Sequence, residues 1–409
     1  MKSMRNMKAA GQRRSFMFFM FLMVSAPATV ALALGVLAPG GVAAQAPAAL
    51  QPVLAELDAS VAAEFAKDGV GGMSVGVVSR AGLVWSKHYG YAEAEVKRAP
   101  TNDTAYRIGS ITKQFTALAL LVLVQDGTVR LTDPLEKYVP EVKAVKGAQA
   151  GTPPITLLQV ATMHSGLARE PGCAEHSVGP VAIWTKKVVD CLPATSYANE
   201  PGTTYLYSNI GYASLGLAIE RAAGKPFTAV VTERIVRPLG MTRTVFEPTG
   251  DTRRDLAHGY QRPRDGGAAS RAAADRELDG RGYRVPNGAL FSTIHDLTRF
   301  VAWELGEGPA AILKKETQDA NYARVFASGP ANPESPALTS GYGVGFQVTR
   351  RGDLVFLGHG GSTAGYHASA MVHRPSKLGV IVLRNCDSCP VDAGPTAVRF
   401  LERLVAAGR

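Results

Sequence analysis

The sequence TAYRIGSITKQFTALALLVLVQD occupies residues 104–126 and contains a Ser-x-x-Lys pair followed by a long apolar run. From Ser110 onward the pattern predicts a helix over 110–126 that is apolar on nearly every side, and such a helix is normally buried. Asp126-Gly127 ends the run and is typical of a helix terminus. The segment therefore predicts a large core built around one helix.

Segments with strand character lie on either side of this helix in the chain. Two strands are predicted before it and four near the other end, over 73–79, 83–91, 343–349, 353–358, 365–373 and 378–384. Helices are predicted over 50–67, after Asp296 and over 392–406, and a solvated loop over 263–280. The order predicts an α/β (α+β) fold, with one antiparallel sheet built from both ends of the mature chain, flanked by helices, and a mostly helical inserted subdomain.

The first 44 residues have the composition of a signal peptide. A basic stretch ends at Arg13-Arg14, an apolar run follows over 16–37, and Val42 and Ala44 suit a signal-peptidase site. The arginine pair also resembles a twin-arginine export signal. The alternative is an uncleaved anchor, because the run is long enough to span a bilayer. Both interpretations predict an extracytoplasmic protein, periplasmic or secreted.

The folded part is expected to be one domain over 45–409. Its α/β part is predicted over about 50–110 and 285–409, and its helical part over about 111–284. Hydrophobic residues make up 46% of the chain, enough for a sizeable core. Five positive charges of the formal +10 precede residue 45, and the remaining Lys and Arg are scattered. We therefore expect no nucleic-acid partner, and membrane contact only through the N-terminal segment.

Four cysteines follow the predicted export signal, and in an oxidising compartment they favour disulfides. Four cysteines allow three pairings. The simplest joins Cys173 to Cys191 and Cys386 to Cys389. The alternative for Cys386 and Cys389 is a redox or zinc site, but no second Cys pair or paired histidines complete a zinc set. We expect no metal and no cofactor.

Ser110 and Lys113 are the first candidate catalytic residues. Their spacing places the two side chains one helical turn apart on the same face. A serine hydroxyl needs an adjacent base to become nucleophilic, and burial can supply one by lowering the pKa of a lysine. Ser110 also opens the helix, so the free backbone N–H groups of its first turn face any developing oxyanion.

Two further patterns carry polar groups that suit this chemistry. Tyr207 and Asn209 point the same way in an extended segment, and the phenol could lose its proton more easily beside a cationic lysine. Tyr197-Ala198-Asn199 fits the same pattern. The segment His359-Gly360-Gly361-Ser362 follows a predicted strand, and its glycines permit close approach of a substrate backbone. His-x-Gly also occurs at His88 and His164.

In this order the motifs resemble the penicillin-recognising serine hydrolases, of the class C β-lactamase, D-alanyl-D-alanine carboxypeptidase and related esterase type. The resemblance extends over about 69–385 through ordered landmarks at 104–113, 157–167, 201–209, 238–241, 341–346 and 358–366. It favours Tyr207 over Tyr197 and His359 over the other histidines. It implies a β-lactamase/transpeptidase-like fold.

The resemblance also implies roles for individual residues. Ser110 would form the acyl-enzyme, and Lys113 and Tyr207 would move its proton. Substrate binding would fall to Asn209, His359, Gly361 and Ser362, with the backbone N–H groups of Ser110 and Ser362 forming the oxyanion hole. Drug-hydrolysing members usually have lysine where this chain has His359, which is mostly neutral at pH 7 at its ordinary pKa. Efficient β-lactam hydrolysis is therefore not expected.

The sequence thus predicts an exported serine hydrolase that cleaves an amide or ester through an acyl-enzyme. Its expected partner is a small-molecule or peptide substrate, with D-amino-acid peptides as the leading class. The alternatives are a carboxylesterase, a weak β-lactamase, and a penicillin-binding or sensing protein that deacylates slowly.

Overall fold

An eight-stranded antiparallel sheet forms the centre of the computed structural model. The structure describes residues 46–149, 151–263, 267–308, 312–324, 326–327 and 340–408, all within one compact unit, Val42–Arg409. The predicted signal peptide over 1–44 lies outside the described residues, so it stays a prediction. Within the described part, no helix combines the length and the apolar character needed to cross a membrane.

The helices and strands are named here in chain order. The helices are α1 Gln51–Asp68, α2 Thr112–Gln125, α3 Leu157–Ala161, α4 Trp184–Cys191, α5 Asn209–Ala223, α6 Phe227–Val231, α7 Gly250–Arg254, α8 Ala272–Arg276, α9 Val285–Gly288, α10 Ile294–Glu304, α11 Lys315–Ala323 and α12 Ala393–Ala407. The strands are β1 Gly72–Ser79, β2 Gly82–Gly90, β3 Tyr106–Arg107, β4 Tyr260–Gln261, β5 Phe291–Ser292, β6 Phe326–Ala327, β7 Gly341–Tyr342, β8 Gln347–Arg351, β9 Leu354–Thr363, β10 Tyr366–His373, β11 Leu378–Arg384 and β12 Cys386–Asp387.

The central sheet joins the two ends of the chain. Its strand order is β2-β1-β11-β10-β9-β8-β7-β6, and the early strand β1 pairs antiparallel with the late strand β11, with Val75 opposite Val382. The long stretch between β2 and β6 contributes most of the helices. This arrangement confirms the predicted fold class.

Helices cover both faces of the sheet. Alternate side chains of a strand point to opposite faces, and Val75 and Val382 pack in one core with α1 and α12. Val78 and Ile381 belong to the larger core on the other face, which also holds the apolar side chains of α2, α5 and α10. Burial on both faces explains why β11 is apolar along almost its whole length.

Helix α2 is buried on almost every side, as its sequence predicts. Every residue from Thr112 to Leu123 is buried. A short 3₁₀ turn, Gly109–Ile111, precedes the helix and carries Ser110. The buried position of α2 therefore places the Ser110–Lys113 pair in the core, with the Ser110 turn in contact with β9.

The predictions for three segments differ from the structure. The segment predicted as a solvated loop over 263–280 includes helix α8, which buries Ala274 at 2% exposure. The strand predicted over 343–349 begins only at Gln347, because Gly343–Phe346 closes a turn in which Gly345 has a φ of 87°. The strand predicted to end at residue 358 continues to Thr363.

Both disulfides of the simplest pairing are present. Cys173 is bonded to Cys191, and Cys386 to Cys389, so none of the four cysteines is a free thiol. A loop of the first size stabilises a fold by about 3 kcal/mol in the chain-entropy account. The second disulfide closes a tight loop that begins in β12, beside β4.

A buried acid makes the stability of this fold depend on pH. Glu304 in α10 is 1% exposed and accepts a hydrogen bond from Gln114 of α2. Burial raises the pKa of Glu304 to about 8, and the Gln114 hydrogen bond opposes this only in part. Between about pH 4.5 and pH 8 the unfolded chain has lost a proton that the fold retains. The free energy of unfolding therefore falls as the pH rises through this window.

Replacing this acid tests the pH dependence. In Glu304→Gln this pH-dependent contribution to the free energy of unfolding disappears, because the amide does not titrate. We expect the parent to lose up to about 1.4 kcal/mol of stability per pH unit across the window and the variant to lose less. Urea unfolding at pH 5, 6, 7 and 8 measures the slopes, with Glu56→Gln in the surface pair with Arg403 as control. Equal slopes in the parent and Glu304→Gln would contradict the assignment.

Candidate active site

Ser110 lies on the wall of an open cleft with a volume of about 910 Å³. The same wall carries the other predicted site residues except Lys113, namely Tyr207, Asn209, His359, Gly361 and Ser362. Lys113 is completely buried beneath it. Three segments that are distant in sequence thus meet at one place. Tyr197 and Asn199, the second Tyr-x-Asn pattern, line a different cavity.

The amine of Lys113 makes three hydrogen bonds. Its Nζ lies 3.1 Å from Ser110 Oγ, 2.8 Å from Asn209 Oδ1 and 3.0 Å from the carbonyl oxygen of Asn287. The one-turn spacing on α2 brings the amine to the hydroxyl, as the sequence predicts. Asn287, in α9, was not predicted from the sequence, because its contribution is a backbone carbonyl that any residue could offer.

The surroundings of Lys113 favour its neutral form. Burial lowers the pKa of the amine well below its ordinary value of 10.5, and the positive charge of Arg281 lowers it further. Glu170 opposes these effects but does not cancel them. A neutral amine 3.1 Å from a serine hydroxyl can accept its proton.

Tyr207 stands beside this pair, but as a neutral phenol. Its ring centre lies 4.7 Å from Lys113 Nζ. Burial raises the pKa of the Tyr207 phenol, although a hydrogen bond with Ser110 and the charge of Arg169 partly oppose it. The expectation that Tyr207 loses its proton more easily beside a cationic lysine is therefore wrong, because desolvation outweighs the neighbouring charges. Tyr207 is placed to donate a proton.

Asn209 is held at both ends of its amide. Its Oδ1 accepts from Lys113, and its Nδ2 donates to Glu170 Oε1. The adjacent Ser208 caps helix α5 by accepting from Gly211 N at 3.0 Å, so the segment is fixed where the helix begins. An amide nitrogen carries a second N–H that could serve a substrate, and the expected substrate contact of Asn209 stays a prediction.

Strand β9 packs directly against the turn that carries Ser110. A side chain at Gly361 would place its Cβ 2.0 Å from the carbonyl oxygen of Ile108 and 3.0 Å from the backbone nitrogen of Ser110. A side chain at Gly109, whose φ is 53°, would lie 2.9 Å from the backbone nitrogen of Ser362. Glycine at both positions thus lets the backbones of Ser110 and Ser362 approach each other.

The close approach at Gly361 leads to a strong prediction. Gly361→Ala is expected to lower kcat at least about 100-fold, because the methyl group must push β9 away from Ser110 and displace the backbone N–H of Ser362, a predicted oxyanion donor. Steady-state kinetics measures the loss. Gly408→Ala is the control for a glycine replaced elsewhere, because Gly408 follows α12 at a φ of −93° and an added Cβ would make only an ordinary contact of 3.5 Å. Parent-like kcat in Gly361→Ala would contradict this geometry.

His359 is buried, neutral and bonded on both ring nitrogens. Its Nε2 lies 3.0 Å from the Tyr342 hydroxyl, and its Nδ1 is bonded to the carbonyl oxygen of Gly360. Burial and the neighbouring Lys113 lower the pKa of His359 to about 3. The ring therefore offers no positive charge to a substrate carboxylate, and the expected substrate contact of His359 stays a prediction.

Several residues of this site were missed in the sequence. Glu170 follows the His164–Leu167 landmark, and Tyr342 belongs to the 341–346 landmark, so their positions were marked but their side chains were not considered. Glu277, from the segment predicted as a loop over 263–280, forms a buried ion pair with Arg281 at 2.9 Å. Burial of charged residues cannot be predicted from a sequence that is rich in charged and small residues.

Comparison with known proteins decides the family. A family model described as Beta-lactamase matches residues 57–401. The chain belongs to the beta-lactamase family. This confirms the resemblance seen in the sequence motifs, and the family is one of serine hydrolases.

Two curated proteins share long segments with this chain. Protein flp of Staphylococcus aureus is 26% identical over 334 residues, which cover 81% of this chain and 63% of that protein. The D-alanyl-D-alanine-carboxypeptidase/endopeptidase AmpH of Escherichia coli is 37% identical over 195 residues, covering 47% of this chain and 49% of that protein. The chain therefore spans less than two thirds of the length of these relatives.

Solved structures show the same fold. The octameric penicillin-binding protein homologue from Pyrococcus abyssi superposes with a TM-score of 0.72 at 26% identity, covering 86% of this chain and 77% of that chain. A D-stereospecific amidohydrolase from Streptomyces sp. gives a TM-score of 0.65 at 24% identity over 87% of this chain and 98% of its own. At that identity the second likeness shows the fold alone.

Proposed function

We propose that this serine hydrolase cleaves an amide or ester bond through an acyl-enzyme on Ser110. The observation that carries the proposal is the 3.1 Å contact between Ser110 Oγ and the buried amine of Lys113. A buried lysine whose positive form is disfavoured is a base ready to accept the hydroxyl proton.

The reaction follows from the positions of the groups. Lys113 accepts the proton of Ser110 as Oγ attacks the carbonyl carbon, and the backbone N–H groups of Ser110 and Ser362 stabilise the oxyanion. Tyr207 donates its proton to the leaving nitrogen or oxygen, and Lys113 returns a proton to Tyr207. Water then attacks the acyl-enzyme, and its proton passes back through the same groups to restore Ser110.

D-amino-acid peptides are the substrate class that we favour. The relatives named for such substrates, AmpH and the D-stereospecific amidohydrolase, support this choice. Arg169 lines the cleft with its guanidinium 4.9 Å from the centre of the Tyr207 ring, where it can attract a peptide carboxylate. A β-lactam is the weaker candidate substrate, because His359 is neutral and the carboxylate of a β-lactam would meet no positive charge on β9.

The test is a matched set of substrates. The purified chain is assayed with a D-alanine-terminated peptide, its L-alanine counterpart, a short-chain p-nitrophenyl ester and a chromogenic cephalosporin. We expect the D-peptide to show the highest kcat/KM and its L-counterpart to be at least about 100-fold slower. A higher kcat/KM for the ester than for the D-peptide would indicate that the enzyme is an esterase and not a peptidase. Stable labelling by fluorescent penicillin without turnover of any substrate would indicate a sensing protein instead.

Export of the chain is part of the proposal. The signal-like composition of 1–44 supports it, and two disulfides in the folded part suit an oxidising compartment. Fractionation of cells that express the full chain tests it. Recovery of the protein with reduced cysteines from the cytoplasm would contradict it.

A further inference from the structure

Glu170 lines the cleft but has no part in the proton transfers described above. Its Oε1 accepts a hydrogen bond from Asn209 Nδ2. Its Oε2 accepts from the Tyr283 hydroxyl at 2.6 Å and lies 3.4 Å from a guanidinium nitrogen of Arg284. Both carboxylate oxygens are therefore already engaged inside the protein.

These contacts determine which way the amide of Asn209 points. An amide has one end that donates and one that accepts, whereas an ionised carboxylate only accepts. Glu170 can therefore be satisfied only by the NH₂ end of Asn209. The oxygen end then faces Lys113, where it accepts at 2.8 Å. With the amide reversed, two donors would face each other at Lys113.

We propose that Glu170 is a positioning residue of this enzyme, whose carboxylate holds the Asn209 amide so that its oxygen receives the amine of Lys113. The inference rests on the proposed function, because Lys113 is the base of that reaction. Glu170 acts through Asn209, and in the described part of the chain its hydrogen bonds and ion pair reach neither the nucleophile nor the base.

The charge of Glu170 gives this role a distinct signature. Hydrogen bonds from Tyr283 and Asn209 and the charge of Arg284 lower the pKa of Glu170 in spite of burial, so the carboxylate is ionised. Its negative charge in turn raises the pKa of Lys113, against burial and the arginines. Removing the charge must therefore make Lys113 easier to deprotonate, and the acid limb of activity must move to lower pH.

Two variants separate the two effects. Glu170→Ala removes the acceptor and frees the amide, so we expect kcat to fall about 10- to 100-fold while KM stays within about threefold. Glu170→Gln keeps an acceptor oxygen for Asn209 but removes the charge. For this variant we expect kcat near that of the parent and an acid limb of kcat/KM about one pH unit lower. Glu141→Gln, in the surface pair with Arg221, is the matched control.

Three outcomes would overturn the proposal. One is parent-like kcat in Glu170→Ala. Another is an unmoved acid limb in Glu170→Gln. The third is an equal loss of kcat in both variants at every pH, which would indicate a direct catalytic or merely structural role. Thermal unfolding of both variants shows whether lost activity reflects lost folding.

A measurement without turnover keeps this test separate from the proposed function. If the parent forms no adduct on Ser110, the proposed function fails, but the Lys113 amine can still be titrated by NMR in ¹³Cε-lysine-labelled protein. We expect its titration midpoint to fall by about one pH unit in Glu170→Gln and to stay unchanged in Glu141→Gln. An unchanged midpoint in both variants would contradict the electrostatic link between Glu170 and Lys113.

Discussion

Ser110→Ala is expected to lower kcat/KM for every hydrolysed substrate by about 10⁴-fold or more. The variant retains the cleft, the base and the oxyanion donors but has no atom that can form the acyl bond. Because Ser110 is only one of several polar groups around Lys113, the fold should persist, and Lys113 keeps its bonds to Asn209 and Asn287. Steady-state kinetics and thermal unfolding together measure the effect.

A second serine provides the control for this change. Ser60→Ala removes a hydroxyl that is hydrogen-bonded to Glu64 in α1. Helix α1 packs on the face of the sheet opposite to α2. Its kcat/KM should stay within about twofold of the parent. Retention of activity in Ser110→Ala would show that another group attacks the substrate carbonyl.

Lys113→Met is expected to lower kcat by about 10³- to 10⁴-fold. Methionine has a similar length and suits the buried position, but it has no amine to accept the proton of Ser110. The acid limb of the pH profile should also disappear, because activity in the parent rises as Lys113 becomes neutral. The limb should lie below pH 10.5, since burial and neighbouring arginines lower the pKa of Lys113.

The pH profile distinguishes a base from a structural residue. Lys186→Met, which breaks an exposed pair with Asp190, should leave both kcat and the profile unchanged. If Lys113→Met lowers kcat yet keeps the acid limb at the same pH, another group titrates there. The proton of Ser110 would then have a different acceptor.

Much of the fold could be predicted because its signals are local. The apolar run of α2 and the nearly continuous apolar character of β1 and β11 are visible in the sequence itself. The boundary errors occurred where tertiary contacts override local preference. Ala274 is buried in an Arg- and Asp-rich segment, and β9 continues through Gly360 and Gly361 because β10 pairs with it there.

The site was predicted less completely than the fold. The meeting of Ser110, Lys113 and Tyr207 could be predicted because the order of several weak motifs resembles a known family. The direction of the Tyr207 pKa was predicted wrongly, because burial cannot be read from a Tyr-x-Asn pattern. The hydrogen bond of His359 to Tyr342 and the proposed role of Glu170 depend on contacts between residues far apart in the sequence. The spacing of residues within a motif does not predict such contacts.

The central claim is that Ser110 becomes acylated, and peptide-mapped mass spectrometry after a rapid acid quench tests it most directly. The chain is mixed with a p-nitrophenyl ester or a D-alanine-terminated peptide and quenched during turnover. We predict that the peptide containing Ser110 gains the mass of the acyl group, and that Ser110→Ala shows no adduct. Turnover accompanied by an acyl group on any other residue, or by undiminished hydrolysis in Ser110→Ala, would contradict the account.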